Sequence, residues 1–378
     1  MREYFGFRLK SRKMDFPESV VDLTAIETLT NTTEEIQMSK ETPRFLTAES
    51  GVQQILKQTP PLHFNGTSKE EHRKWRSAFR RKLVRNLGPK PEAILLDIEV
   101  LELTRMDGYT REKIVFNPDP FSSIPAYVLI PDGANSDNPC PAVLCAHGHG
   151  VGKDPLVGLG TDYQKQFAVE LTRNGFVTIS PDWRCFGERK DRDEWVRRPG
   201  RDGCNVAYLG YGYFGYQLLQ LDICDAQRCL DYLQSRPDVN GKRLGCMGCS
   251  FGGTMTTYVS ALDQRIKADV IICYLSTVTD ALNDRGRGNT CGSQFMFGLR
   301  QYGEISDVAG LIAPRACMVQ IASNDTCFIE ADAKNAFDHL EKIYTASGRR
   351  DNLELDYFEG VHEVDVEPAL AFLKKHLM

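Results

Sequence analysis

Gly248-Cys249-Ser250-Phe251-Gly252-Gly253 is the stretch on which the reading of this chain turns. It fits G-x-S-x-G, a pattern in which a strand turns sharply into a helix and holds the serine at the apex in a strained backbone conformation. Small residues at Gly248 and Gly252 let neighbouring backbone approach the turn. Both flanks supply the required context: Arg243 to Met247 reads as an apolar strand, and Thr254 to Leu262 reads as a helix. The bland alternative is a glycine-rich turn at a strand end. Cys246 and Cys249 form a C-x-x-C across the elbow, but no second pair and no suitably placed histidine completes a zinc or redox site in the sequence. The motif puts Ser250, not Cys249, at the apex.

Outward from the elbow, strand-like and helix-like segments alternate. Strands are expected at Ile98 to Leu103, Lys113 to Phe116, Ala126 to Ile130, Ala142 to Ala146, Val177 to Ser180, Val270 to Cys273, Cys317 to Ala322 and Leu353 to Phe358. Helices are expected at Tyr163 to Asn174, along the stripe Leu219, Ile223, Ala226, Leu230 and Leu233, over 330–346 and at Val366 to Leu377. Such alternation implies a mostly parallel central sheet with helices on both faces. The first three strands lack intervening helices, so an antiparallel N-terminal edge is expected. With the serine elbow, the expected class is α/β and the expected fold is the α/β-hydrolase fold. No internal repeat is present.

Residues 1–95 read as an N-terminal extension and 96–378 as the catalytic domain. The extension is polar up to Pro60-Pro61, with room for one short helix. Ser68, followed by Glu70 and Glu71, then starts an amphipathic helix with Trp75, Phe79, Leu83 and Leu87 on one stripe. Its remaining faces are strongly basic, which could suit a membrane or nucleic acid; a solvated face on a helix packed by its aromatic stripe is the preferred reading. A net charge of −5 gives no global sign of a nucleic-acid partner. No segment is apolar for long enough to span a bilayer. Arg2, Lys10, Arg12 and Lys13 are not followed by an apolar run, so no cleavable signal peptide is expected and a cytoplasmic location follows. The 12 cysteines are absent before Cys140 and too sparse for a disulfide scaffold; they read as buried free thiols.

In this fold the acid and then the base follow the serine in the chain. Of the histidines after Ser250, His339 falls inside an expected helix and His376 near the end of the last one. His362 lies in a loop after a strand, where it can reach a serine at the sheet's C-terminal edge. Asp325 follows the strand Cys317 to Ala322, and its carboxylate would fix the imidazole tautomer and stabilise the imidazolium. The alternative is a turn aspartate, with Asp332 as the rival acid. An oxyanion needs preorganised donors. The Phe251 amide is one candidate; the His149 amide, with Gly150 as runner-up, is the other, in the loop His147-Gly148-His149-Gly150. Metal binding by His147 and His149 is a weak rival, because the sequence offers no third ligand beside them.

These segments resemble those of bacterial α/β hydrolases grouped with acetyl xylan esterases and dienelactone-hydrolase-like proteins. The resemblance is carried by His147-Gly148-His149-Gly150, by Pro181-Asp182-Trp183-Arg184-Cys185-Phe186-Gly187-Glu188-Arg189, by Asp231-Tyr232-Leu233 and by Arg236-Pro237-Asp238-Val239. The serine elbow, Cys291-Gly292-Ser293-Gln294, Leu311-Ile312-Ala313-Pro314-Arg315, Asp325 and Phe358-Glu359-Gly360 with His362 complete it. It covers roughly residues 100 to 375. It implies a serine ester hydrolase acting on a small-molecule or carbohydrate ester, with no cofactor and no metal, and compatible with a homo-oligomer. Dienelactone hydrolases proper use cysteine where this chain has Ser250, and Val361 replaces a glycine often seen before the base.

The segment from Trp183 to Tyr216 is long, aromatic and charged, and reads either as a lid or pocket wall or as a solvated connection. Trp183 and Arg184 are its candidate substrate contacts, and Arg184, Arg285 and Arg287 could meet a carboxylate; salt bridges to nearby acids are the competing reading. A serine peptidase or amidase would use the same three residues, but no propeller-type repeat accompanies them. A glucuronoyl-type esterase shares Gly-Cys-Ser, although Phe251 stands where arginine is expected. A non-catalytic binding protein would have lost one of the three residues, and none is lost.

Overall fold

The computed structural model describes residues 44–196, 202–283 and 291–378. The first 43 residues of the expected extension, residues 197–201 of the aromatic segment, and Arg285 and Arg287 lie outside the described residues. Thr47–Met378 pack as one unit. Helix α1 spans Ala48–Leu56 and α2 spans Lys69–Leu87. Ser68 caps α2 as the sequence suggests: its Oγ accepts from the Glu71 amide at 3.2 Å, and the Glu71 carboxylate accepts from the Ser68 amide at 2.9 Å.

Phe79, Leu83 and Leu87 of α2 are buried in the same core as the sheet. The basic face of α2 is not wholly solvated. Arg76 donates to the carbonyl of Leu311 and Arg80 to that of Leu262. Both carbonyls lie at helix C-termini, where no intrahelical donor remains. Helix α2 is therefore part of the main body, although the sequence pattern set it in an extension.

Among the described residues, nine strands form one sheet in the order β1-β2-β3-β5-β4-β6-β7-β8-β9. They are β1 (Glu99–Arg105), β2 (Tyr109–Asp119), β3 (Ser122–Pro131), β4 (Cys140–Ala146), β5 (Val177–Pro181), β6 (Val239–Cys249), β7 (Ile266–Ile272), β8 (Ala316–Ala322) and β9 (Leu353–Phe358). The pairings β1–β2, β2–β3 and β3–β5 are antiparallel, as expected from three strands with no helix between them. From β5 onward every pairing is parallel.

The remaining helices are α3 (Phe167–Arg173), α4 (Asp193–Val196), α5 (Gly203–Gly212), α6 (Leu218–Ser235), α7 (Phe251–Leu262), α8 (Val278–Asn283), α9 (Ile305–Gly310), α10 (Glu330–Ser347) and α11 (Val366–Leu377). Strand alternation divides the core between the two faces. In β4, Ala142, Leu144 and Ala146 join the cluster that includes residues of α2, α6, α7 and α10, whereas Val143 and Cys145 join the cluster with α3 and α11. No helix among the described residues is long and apolar enough to cross a membrane.

One helix is shorter than its sequence pattern. Helix α3 begins at Phe167 because Lys165 and Gln166 take φ values of 51° and 54°, in the left-handed region. That kink releases Tyr163 and Gln164 from the helix and turns them toward the sheet edge. Because β4 to β9 run parallel, their C-terminal ends share one edge. In open α/β sheets that edge is where ligands bind.

Candidate active site

Ser250 sits between β6 and α7 with φ 61° and ψ −120°. A non-glycine residue in such a conformation costs on the order of 1–3 kcal/mol and persists only where its surroundings enforce it. Close packing enforces it here: a Cβ on Gly252 would lie 2.0 Å from the Ala146 carbonyl oxygen. Helix α7 can pivot on β4 only if that position is glycine. The Ser250 amide is anchored by donation to the Ile272 carbonyl at 3.0 Å.

Asp325 follows β8 and His362 follows β9, so both reach the same edge. His362 Nδ1 lies 2.9 Å from Asp325 Oδ2. The other carboxylate oxygen accepts from the amides of Cys327 at 2.7 Å and Phe328 at 3.0 Å. Burial opposes charge on both groups. The mutual hydrogen bond outweighs it, raising the His362 pKa above the usual imidazole range and lowering that of Asp325. Asp332, the rival acid, is in the first turn of α10. His339 bonds instead to Ser306 Oγ and the Phe64 carbonyl.

Among the described residues no hydrogen bond joins Ser250 Oγ to His362. Tyr163 neighbours both: its ring centroid is 5.3 Å from that of His362, and its hydroxyl interacts with the Ser250 side chain. The Tyr163 hydroxyl donates to the His149 carbonyl at 3.0 Å, and burial pushes its pKa well up, so it remains a donor. A Cβ on Gly148 would lie 1.9 Å from the Tyr163 hydroxyl oxygen, which explains the glycine.

The loop after β4 is held from several sides. The Gly148 amide donates to Gln164 Oε1 at 2.7 Å, and Gln164 is itself braced by Asp162. This removes Gly148 from the candidate oxyanion donors and leaves His149 and Gly150. The Phe251 amide opens α7, where it has no intrahelical acceptor and lies at the positive end of the helix dipole. His147 is fully buried. One ring nitrogen lies 2.7 Å from the Gly148 carbonyl oxygen, and the other accepts from the Trp183 amide at 3.0 Å. Burial lowers its pKa to about 4, so it is a neutral brace.

Trp183 and Arg184, expected against substrate, are both committed to the interior. Trp183 is fully buried. Arg184 donates to Asp225 through Nε at 3.0 Å, and through Nη2 to Asp225 and Asp119, each at 2.8 Å. Its amide also donates to Asp222. The guanidinium has no face left for a ligand; the salt-bridge reading describes it. Replacing Arg184 by methionine would leave Asp119 buried without its counter-charge and Asp225 with Arg189 alone beside it. A loss of about 3–5 kcal/mol is expected in urea unfolding. A change below about 1 kcal/mol would mean that the network relaxes without it.

Sequence reasoning missed Tyr163, hidden in an over-long helix, and Cys273. Cys273 follows β7 with φ 45°, and its Sγ, an Asp325 oxygen and a His362 nitrogen all lie within 4.8 Å of one another. Contact with the Cys249 thiol, and then with His362, draws its pKa below the usual thiol range despite burial. A cavity of about 880 Å³ adjoins the site, lined by α1, the Gln294–Gln301 segment and the turn Thr326–Ile329. Ser250 and His362 do not line it. Phe328 does, and its ring stacks on that of His362 with centroids 6.0 Å apart.

Residues 30–365 match the model of the Abhydrolase family. The putative hydrolase YtaP of Bacillus subtilis (strain 168) is 28% identical over 287 residues, which is 73% of this chain and 90% of that one. The crystal structure of a putative acetyl xylan esterase from Bacteroides fragilis NCTC 9343 superposes with a TM-score of 0.72 at 21% identity, covering 84% of each chain. A glucuronoyl esterase from Solibacter usitatus superposes with a TM-score of 0.61 at 16% identity, covering 84% of this chain and 97% of that one. The family match spans most of the sequence, and the sheet order and serine elbow agree with it: the chain belongs to the Abhydrolase family of α/β hydrolases.

Proposed function

We propose that this chain is a serine carboxylic ester hydrolase acting through an acyl-enzyme on short-chain, acetyl-type esters, including those of carbohydrates. The observation that carries this reading is the 2.9 Å His362–Asp325 bond at the sheet edge from which Ser250 projects. In this reading His362 takes the Ser250 proton through Nε2 as Ser250 attacks the ester carbonyl. Asp325 holds the proton on Nδ1 and stabilises the imidazolium. The amides of Phe251 and His149 receive the oxyanion, and Tyr163 keeps the His149 peptide in place. His362 then protonates the departing alcohol, and water activated by the same imidazole releases the acid.

The substrate class is supported by the names of several fold neighbours, among them acetyl xylan and glucuronoyl esterases. The cavity behind Phe328 offers room for the part of the ester away from the reacting carbonyl. The test compares p-nitrophenyl acetate, p-nitrophenyl butyrate, an acetylated xylo-oligosaccharide, a methyl glucuronate ester and a peptide anilide. Acetyl esters are expected to have the highest kcat/KM, and the anilide should be inert. Efficient anilide cleavage would replace this reading with a peptidase or amidase. Preference for the methyl glucuronate would move it to the glucuronoyl class.

A further inference from the structure

The loop after β4 carries two histidines, and the structure gives them different surroundings. His147 has both ring nitrogens engaged. His149 has its Nε2 3.9 Å from the Sγ of Cys204, in the first turn of α5. Cys204 in turn interacts with Cys291. One ligand atom from each of His149, Cys204 and Cys291 lies within 4.8 Å of the other two.

Close packing builds this juxtaposition. A Cβ on Gly292 would fall 2.3 Å from the Cys204 carbonyl oxygen, so the chain beside Cys291 is pressed against α5. The Gly292 amide donates to Asn205 Oδ1 at 2.7 Å. Phe186 meets the His149 ring edge to face at 5.0 Å. Cys204 is buried while His149 is exposed, which gives a cation a route in. Asp202, at the N-cap of α5, adds negative potential at His149 and Cys291.

Two thiols and an imidazole form a soft donor set, suited to zinc; magnesium and calcium require oxygen ligands. Tetrahedral zinc, with bonds of about 2.3 Å to sulfur and 2.0–2.1 Å to nitrogen, holds such donors about 3.5–3.8 Å apart. The His149–Cys204 separation is already close to that. Three protein ligands leave the fourth position open to water.

We propose that His149 Nε2, Cys204 Sγ and Cys291 Sγ bind one zinc-type cation, and that its occupancy inhibits the hydrolase by clamping the loop that carries His149. On binding, both thiols lose their protons to solvent and the imidazole binds as the neutral base. Only the inhibition rests on the esterase reading.

The test is a titration of the reduced full-length protein with Co²⁺ under anaerobic conditions. One cobalt per chain is expected, with a thiolate-to-cobalt charge-transfer band and the intense visible bands of a tetrahedral site; zinc should displace both. Cys291→Ser and His149→Ala should each weaken binding by at least about 100-fold, since loss of a residue that merely orients a ligand already costs up to that. Cys140→Ser, at the start of β4, should leave binding intact. Thermal unfolding of each variant verifies that it is folded. Absence of the charge-transfer band in wild type, or its survival in the Cys204→Ser/Cys291→Ser double variant, overturns the site. A band lost in Cys273→Ser but kept in Cys291→Ser would put the metal beside His362 and overturn it equally. Zinc should slow acetate ester hydrolysis in step with occupancy in wild type but not in Cys291→Ser. Full activity of the zinc-loaded protein would overturn the inhibition and leave the site standing.

Discussion

Replacement of Ser250 by alanine is expected to lower kcat on p-nitrophenyl acetate by roughly 10⁴- to 10⁶-fold. The fold should survive. Ser250 is 9% exposed, its backbone at φ 61° is held by the packing of Gly252 on β4, and alanine keeps the Cβ that this backbone already accommodates. The loss is therefore chemical: one hydroxyl disappears from the apex of the turn. Circular dichroism and thermal unfolding should match wild type, and a fluorophosphonate probe should label wild type alone. Activity that persisted in the variant would mean that another group attacks. Cys249 is a poor stand-in, because it is fully buried and burial raises its thiol pKa. Cys273 would be the next residue to replace, since its thiol is held below the usual range beside His362.

Replacement of Asp325 by asparagine should lower kcat by about 10⁴-fold, and the reason is the tautomer it imposes. An asparagine oxygen can still accept from the Cys327 and Phe328 amides, so the turn is retained. The remaining amide nitrogen then faces His362 Nδ1. As a donor it drives the imidazole proton onto Nε2, the atom that must accept from Ser250. The pH profile tests the same bond. As the proposed base, His362 could accept a proton only when neutral, and the Asp325 hydrogen bond raises its pKa. In wild type the acid limb of kcat/KM should therefore lie above the position set by an ordinary imidazole. In Asp325→Asn that stabilisation of the imidazolium is gone and burial still disfavours charge, so the limb should move to lower pH as the rate falls. A limb that did not move would mean that the pair does not set the titration of His362, and the assignment of base and acid would fail with it.

Much of the local structure can be read directly from the sequence, because short-range sterics and hydrogen bonding decide it. Ser68 and Glu71 are three residues apart and make their capping box within one turn. The glycines flanking Ser250 mark a turn whose strain depends on residues within a few positions and on one neighbouring strand. Helix α11 runs from Val366 to Leu377 as its apolar periodicity suggests. The approach of Asp325 to His362 could be anticipated because both follow parallel strands that end on one edge.

The sequence could not show what converges from distant places. Periodicity could not locate the start of α3, because the left-handed Lys165 and Gln166 carry no signal in hydrophobic pattern. It is that break which frees Tyr163 for the site. Arg184 read as a candidate ligand contact until the crossing of β5 between β3 and β4 brought Asp119 and Asp225 around it. Two histidines with no third ligand in the sequence become one histidine with two thiols, from residues 55 and 142 positions further along the chain, once α5 and the Gly292 segment pack together. The sequence by itself determined the class, the elbow and the order of Ser250, Asp325 and His362 after parallel strands of one sheet, since each depends on turn chemistry and alternation along the chain. Tertiary structure alone decided which polar groups neutralise one another and which remain available for a ligand, because that depends on strand order and packing distance, to which local propensity is blind.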